Sequence, residues 1–290
     1  MTDGRQSSLA AEKLGSDRLL ALGFLLGDHL GGATEGAWRA TAPDGGQVVL
    51  KWSANPGMVA DYAKLCSGLD TLRGRGVPVA RYLEVIPFEG GTLSVQQFLP
   101  GRSQDRLPRA VVAAIVEFIG AKAGIGGPGP ADAHDWGAFV VQALRKGQDV
   151  WCAHAPLRDW GPASAAFLHR IEALGAAADP NWFPDDGLVH LDLHTDNILI
   201  EYDRVTGIID WEGACTGDHL YDLVQFAFDL DGHDQPVWEI VDAACLSPRV
   251  IEAYVALLVL QSMSAAILDR PFDMERQLAR AERVFDRYAV

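Results

Sequence analysis

The chain has 290 residues, 49% of them hydrophobic and 22% charged, enough to build one large or two modest domains with real cores. Its net charge is −15, but the two parts differ: residues 1–180 carry 17 Lys+Arg against 18 Asp+Glu, whereas 181–290 carry 7 against 21. Such an acidic field repels DNA, RNA and anionic lipid and attracts cations, so nucleic acid and membrane are excluded as partners.

The four cysteines, Cys66, Cys152, Cys215 and Cys245, form no C-x-x-C pair, which argues against a disulfide framework or a zinc site. A reducing cytoplasm is the simplest home, and the short apolar run "LLALGFLL" lacks the basic flank and cleavage site of a signal peptide. From about residue 25 the texture is strand-like. "AWRATAP", the turn "DGG" and "QVVLKW" read as a hairpin, with the loop "LGGATEG" (30–36) upstream. A helix over "GMVADYAKLCSGLDTLRGRG" follows, then two strands around "FEGG". Beyond Pro100 and Gly101 the pattern predicts helices at 108–123, 131–155 and 162–178, interrupted by "GIGGPGP" and "DWGP". A strand pair at 188–210 comes next, then helices through "HLYDLVQFAFDL", 248–268 and 272–288. The long apolar stretch at 250–268 reads as a buried helix, because Glu252 and Gln261 interrupt it. The expected organisation is an α+β chain: an amino-terminal β-rich lobe over 1–100, a hinge near 97–101, and a helical lobe over 101–290 with one β insertion.

The stretch "LVHLDLHTDNILIEYDRVTGIIDWEGA" carries the chemistry. Phosphoryl transfer from a nucleotide needs oxygen ligands for Mg²⁺, a carboxylate to orient the attacking hydroxyl, and a cation on the phosphates. His190, Asp192 and Asn197 stand at the spacing of the kinase pattern H-R-D-x-x-x-x-N, and Asp210 follows thirteen residues after Asn197. Lys51, ending the β-run "VVLK", is the natural cation. His190 and His194 flank Asp192, but the "ILI" that follows argues for loop and strand, not for one helix face that would present both to zinc.

In "VHLDLHTDNILI", "IIDWEGA" and "GDHLYDL", in that order, the chain resembles the aminoglycoside phosphotransferase family, antibiotic and small-metabolite kinases with a bilobal protein-kinase-like fold. The resemblance implies Asp192 as catalytic base, Asn197 and Asp210 as magnesium ligands, and Lys51 as phosphate anchor. It further implies a phosphate loop containing Gly31 and Gly32, and adenine against the backbone of Gln97, Phe98 and Leu99. His190 and Asp222 would brace the catalytic loop, Asp222 by accepting backbone hydrogen bonds, and ATP or GTP would be the donor. The chain departs from the family pattern at Leu191, where glycine is usual and a leucine would narrow the acceptor mouth. It departs again on the helix after Lys51, where no glutamate stands and Asp61, with Asp70 second, is the nearest acidic partner.

The acidic surplus suggests a cationic acceptor met by Asp229, Asp231, Asp234, Glu239 and Asp242. An aminoglycoside or a basic cyclic peptide of the capreomycin and viomycin kind fits, and the protein is expected to act as a monomer or homodimer. A metabolic kinase for choline, a fructosamine, a methylthio-sugar or homoserine would instead need an aromatic-lined pocket, with Trp182, Trp211 and Trp238 as candidate walls. A nucleotide-binding pseudokinase would be the reading if the missing glutamate disabled nucleotide alignment.

Overall fold

The computed structural model describes residues 3–15, 17–31, 36–55, 58–129, 135–147, 152–244, 246–269 and 274–288. It divides into two compact units: Met1–Arg102 with Leu199–Ile209, and Ser103–Ile198 with Asp210–Val290.

The first unit is built on an antiparallel five-stranded sheet of order β1-β2-β3-β5-β4, comprising β1 (Leu25–Gly31), β2 (Ala37–Thr41), β3 (Gln47–Ser53), β4 (Tyr82–Phe88) and β5 (Gly91–Gln97). Alternation along the strands sorts the two faces. Trp38, Leu50 and Val95 stand in register across β2, β3 and β5, and join Ala40, Val48, Trp52 and Leu93 in one core. That core is completed by Ala10 and Leu14 of α1 (Asp3–Leu14), Leu19 of α2 (Asp17–Ala21) and Phe24. The sequence reading assigned no helices here; their apolar residues are too few for periodicity alone to find, and the sheet supplies the partner that makes them helical. Lys51 falls on the opposite face, in register with Ser94. On α3 (Met58–Gly74), Tyr62 meets Tyr82 of β4 with ring centroids 5.1 Å apart.

The hairpin of β7 (Ile198–Glu201) and β8 (Arg204–Ile208), expected as an insertion in the helical lobe, clusters with the first unit over Leu199–Ile209. The reason is its hydrogen bonding: Arg102 bridges Ile200, Ile208 donates from its backbone to the Pro78 carbonyl at 2.8 Å, and the Thr206 hydroxyl reaches the Pro100 carbonyl. Gly101, at φ +117, lies so close that a Cβ there would meet the Ile200 backbone at 3.1 Å.

The second unit is helical. Its elements are α4 (Arg109–Gly120), α5 (Trp136–Lys146), α6 (His154–Trp160), α7 (Pro162–Ala177), α8 (Tyr221–Gly232), α9 (Glu239–Ala243), α10 (Pro248–Asp269) and α11 (Met274–Tyr288). The single helix expected at 131–155 is two, with Gly147 at φ +73 closing α5. α10 is the buried central helix, with Tyr254 to Val259 essentially inaccessible, and no helix among the described residues is long and apolar enough to cross a membrane. Trp136 at the start of α5 anchors the core against Tyr221 and Tyr254, and donates from its indole to the Tyr254 hydroxyl at 3.1 Å. The two-stranded pair β6 (Gly187–Val189) and β9 (Cys215–Gly217), the latter not anticipated from sequence, delivers the chain into the segment 190–197.

Candidate active site

One face of α8 holds the loop that follows β6. Asp222, Gln225 and Asp229 lie three and four residues apart, so their side chains line one stripe of the helix. Asp222, fully buried, accepts from the backbone N–H of His190 at 2.7 Å and of Leu191 at 3.1 Å, and pairs with the ammonium of buried Lys122. Gln225 accepts from the Leu193 N–H at 2.7 Å and donates to the Leu191 carbonyl at 3.0 Å. Asp229 accepts from the Thr195 N–H at 2.8 Å. These bonds hold Leu191 at φ +71, a left-handed conformation that costs a side-chain-bearing residue about 1–2 kcal/mol. That backbone geometry explains why glycine suits this position, and Leu191 keeps it only because the loop is tied on both sides.

Beyond Leu191 the chain presents Asp192, whose side chain is 49% exposed. Asn197, buried, donates both amide hydrogens to Asp192, to its carbonyl at 2.8 Å and its carboxylate at 3.1 Å. With both hydrogens committed, the His194 Nε2, 3.2 Å from that amide nitrogen and 3.5 Å from the carboxylate, is itself the donor to Asp192. Burial pushes the His194 ring down, but the hydrogen bond and charge of Asp192, with Asp229 and Asp196 behind it, lift its pKa to about 9. Burial likewise raises Asp192, and the charge of Asp210 adds to that; His194 and His190 outweigh both and hold the carboxyl below its ordinary value. His190 is fully buried, its ring 4.4 Å from Trp211, and its Nδ1 accepts from the Asp192 N–H at 3.3 Å. Trp211 is itself 2% exposed and packs on the loop through that ring contact. Asp210 sits at φ +66.

The donor set fits a hard divalent cation. The Asn197 amide turns its nitrogen to Asp192, which leaves its oxygen with no hydrogen bond among the described residues, and Asp210 adds a carboxylate. Amide and carboxylate oxygens are the ligands that Mg²⁺ prefers. No cluster of three or more His, Cys, Asp or Glu among the described residues would hold a metal by itself, so a cation here would complete its shell from the nucleotide.

In the first unit, Lys51 is half-buried and Gly31 takes φ +105, while Gly32 lies outside the described residues. Gln97 ends β5 and donates from its backbone to the Arg81 carbonyl at 2.8 Å. Phe98 carries the Arg39 guanidinium 4.7 Å above its ring, and Leu99 packs on Gly207, where a Cβ would come within 2.8 Å of it. Asp61 is exposed in the first turn of α3, and the next residue, Tyr62, is the one buried against the sheet. Asp70, the second candidate, is spent on Arg73.

The acidic residues expected to greet a cationic acceptor have other work. Asp231, 8% exposed, accepts from Arg280 at 3.2 Å, Arg283 at 2.8 Å and the Trp238 indole at 3.3 Å. Asp242 takes Arg287 at 2.8 Å and the Tyr288 hydroxyl at 2.9 Å, and Asp234 lies 3.8 Å from Arg276. Asp229 is engaged by the Thr195 backbone. Of the five, Glu239 is exposed with no ion pair among the described residues. The arginines that pair with Asp231, Asp234 and Asp242 stand some forty to fifty residues on, along α11. Gln225 and Lys122 were missed. Gln225 had a signal, a polar residue in register with Asp222 on an otherwise apolar helix, whereas Lys122 had none, being 100 residues from its partner.

Residues 29–254 match the model of a family described as a phosphotransferase enzyme family. Among curated proteins, a homoserine kinase from a Methylobacterium species is 44% identical over 50 residues, a match covering 16% of this chain and 16% of the relative. Among solved structures, the aminoglycoside phosphotransferase APH(4)-Ia in ternary complex with ADP and hygromycin B aligns with a TM-score of 0.65 at 19% identity, over 98% of each chain. The choline kinase LicA from Streptococcus pneumoniae aligns with a TM-score of 0.52 at 16% identity, over 98% of this chain and 100% of that one.

Proposed function

Because the chain belongs to the phosphotransferase enzyme family, we propose that it transfers the γ-phosphoryl group of ATP or GTP to a hydroxyl of an amine-bearing small molecule. The observation that carries this is the loop geometry: an ionised, half-exposed Asp192 fixed at its backbone and both flanks, beside the oxygen ligands of Asn197 and Asp210. Such transfer asks the protein for position and charge more than for covalent chemistry.

Asp192 accepts the hydrogen bond of the acceptor hydroxyl and takes its proton as the hydroxyl oxygen bonds to the γ-phosphorus and the bond to the β-phosphate oxygen breaks. Its lowered pKa keeps it ionised at neutral pH, so its main effect is to aim the hydroxyl, with proton transfer late. His194, protonated, steadies the carboxylate. Asn197 and Asp210 would hold Mg²⁺, which when bound would supply positive charge against the phosphates. Within the first unit, Lys51 is the residue we assign to anchor nucleotide phosphate and the backbone at Gln97–Leu99 the part we assign to receive the base.

What the similar proteins' names share supports this acceptor class. An aminoglycoside, choline and homoserine each join a hydroxyl to an amine or ammonium, and the loop that offers Asp192 also exposes Asp196. A cationic antibiotic of the aminoglycoside kind is the first acceptor we assign; the added phosphate would weaken its binding to RNA and so confer resistance. The local match to homoserine kinase favours a second reading, an amino-acid alcohol. The deciding experiment is mass spectrometry after incubation with Mg²⁺ and ATP or GTP against aminoglycosides, basic peptide antibiotics, choline and homoserine. One phosphate added to a single acceptor, and lost in Asp192→Ala, supports the function and picks the class; no gain on any acceptor with nucleotide binding intact overturns it.

A further inference from the structure

Resting on that kinase reading, we propose that Lys122 is a positioning residue of the catalytic loop, acting through Asp222. It stands in the turn after α4, 3% exposed, and holds the loop twice. Its backbone carbonyl accepts from Leu188 of β6 at 3.2 Å, while the next residue, Ala123, bridges Gly187, so the strand entering the loop is fixed to this turn. Its ammonium pairs with Asp222, whose two oxygens receive the His190 and Leu191 N–H groups.

A fully buried ion pair is a poor source of net stability, and an apolar pair of similar volume commonly does as well or better. What an apolar pair cannot do is accept two neighbouring N–H groups and hold a leucine at φ +71 next to Asp192. That task puts the Asp222 carboxylate at 0% exposure, where a carboxylate needs a fixed partner of opposite charge. Asp218, four residues earlier and 1% exposed, adds a second carboxylate to the same interior and accepts from the Tyr254 hydroxyl at 2.8 Å. Burial pushes the Lys122 ammonium's pKa down, and the charges of Asp222 and then Asp218 oppose that shift.

The test compares Lys122→Met, Lys122→Gln, Asp222→Asn and the double variant Lys122→Met/Asp222→Asn by amide hydrogen exchange and by steady-state kinetics. Lys122→Met should speed exchange at His190 and Leu191 about tenfold or more, as a local opening would. It should lower kcat by about 100-fold, the effect of a small misplacement of a catalytic group, while the nucleotide KM stays within about twofold. Because the two act in series, the double variant should be no slower than Asp222→Asn alone. A folded Lys122→Met with parental exchange and kcat would overturn the proposal, as would a double variant far slower than Asp222→Asn. If Lys122→Met does not fold, Lys122→Gln and the double variant, which removes both members of the Lys122–Asp222 pair, give the same comparison. The exchange measurement needs no acceptor, so a parent that phosphorylates nothing would remove the kinase reading while exchange still judges the hold of Lys122 on the loop.

Discussion

Asp231 separates a binding carboxylate from a structural one. Replacing it with alanine removes the acceptor of Arg280 and Arg283 while leaving both cations in place. The Arg280 side chain is 15% exposed, with its guanidinium 4.0 Å from the Phe228 ring. Stranding such a cation costs about 3–5 kcal/mol. Arg283, 60% exposed, adds less than about 1 kcal/mol, since solvent screens it. Each kcal/mol moves the midpoint of a chain of this size by about 2–4 °C, so Asp231→Ala should lower Tm by roughly 10 °C. The acceptor KM should stay within about twofold, because a carboxylate spent on two arginines has no uniform binding to lose. The assay is thermal unfolding alongside steady-state kinetics with a cationic acceptor. A Tm within about 2 °C of the parent together with an acceptor KM raised about tenfold would refute the reasoning and return Asp231 to the substrate.

Three further outcomes are expected. Asp192→Ala should abolish transfer yet bind nucleotide with the parental Kd, measured by calorimetry; retained turnover would remove Asp192 from its role. His194, raised to about 9 in the folded chain from an ordinary 6.5, binds a proton that the unfolded chain releases between those values. Its contribution to stability is therefore complete below about pH 6.5 and lost as pH rises through about 9. Without metal or nucleotide, the stability gap between the parent and His194→Gln should be widest near pH 6 and close by about pH 10, and a gap that does not vary with pH would count against the pairing with Asp192. Leu191→Gly relieves about 1–2 kcal/mol of left-handed strain and loses about 0.4–1 kcal/mol to the freer unfolded chain, so denaturant unfolding should find stability nearly unchanged. The same variant should gain relative kcat/KM on bulkier acceptors; a loss above about 3 kcal/mol would mean that the leucine is chiefly a core residue.

The segment we propose as catalytic could be read from the sequence because its constraints are local. The spacing of His190, Asp192 and Asn197 is set by one loop, and Asp210 by the hairpin that follows, so neighbours in sequence determine which oxygens can meet. The hairpin of β2 and β3, the helix α3 and the buried α10 were legible for the same reason, since period and turn chemistry act over a few residues. Tertiary structure decided where charge is compensated. A carboxylate's partner is chosen by distance in space: the arginines of α11 claim Asp231 and Asp242, Lys122 claims Asp222, and Asp229 turns to the Thr195 backbone. Counting acids along the chain located the charge but not its neighbours. Which side of α3 meets the sheet is likewise settled by Tyr62 packing on Tyr82, a contact 20 residues apart that no local pattern specifies.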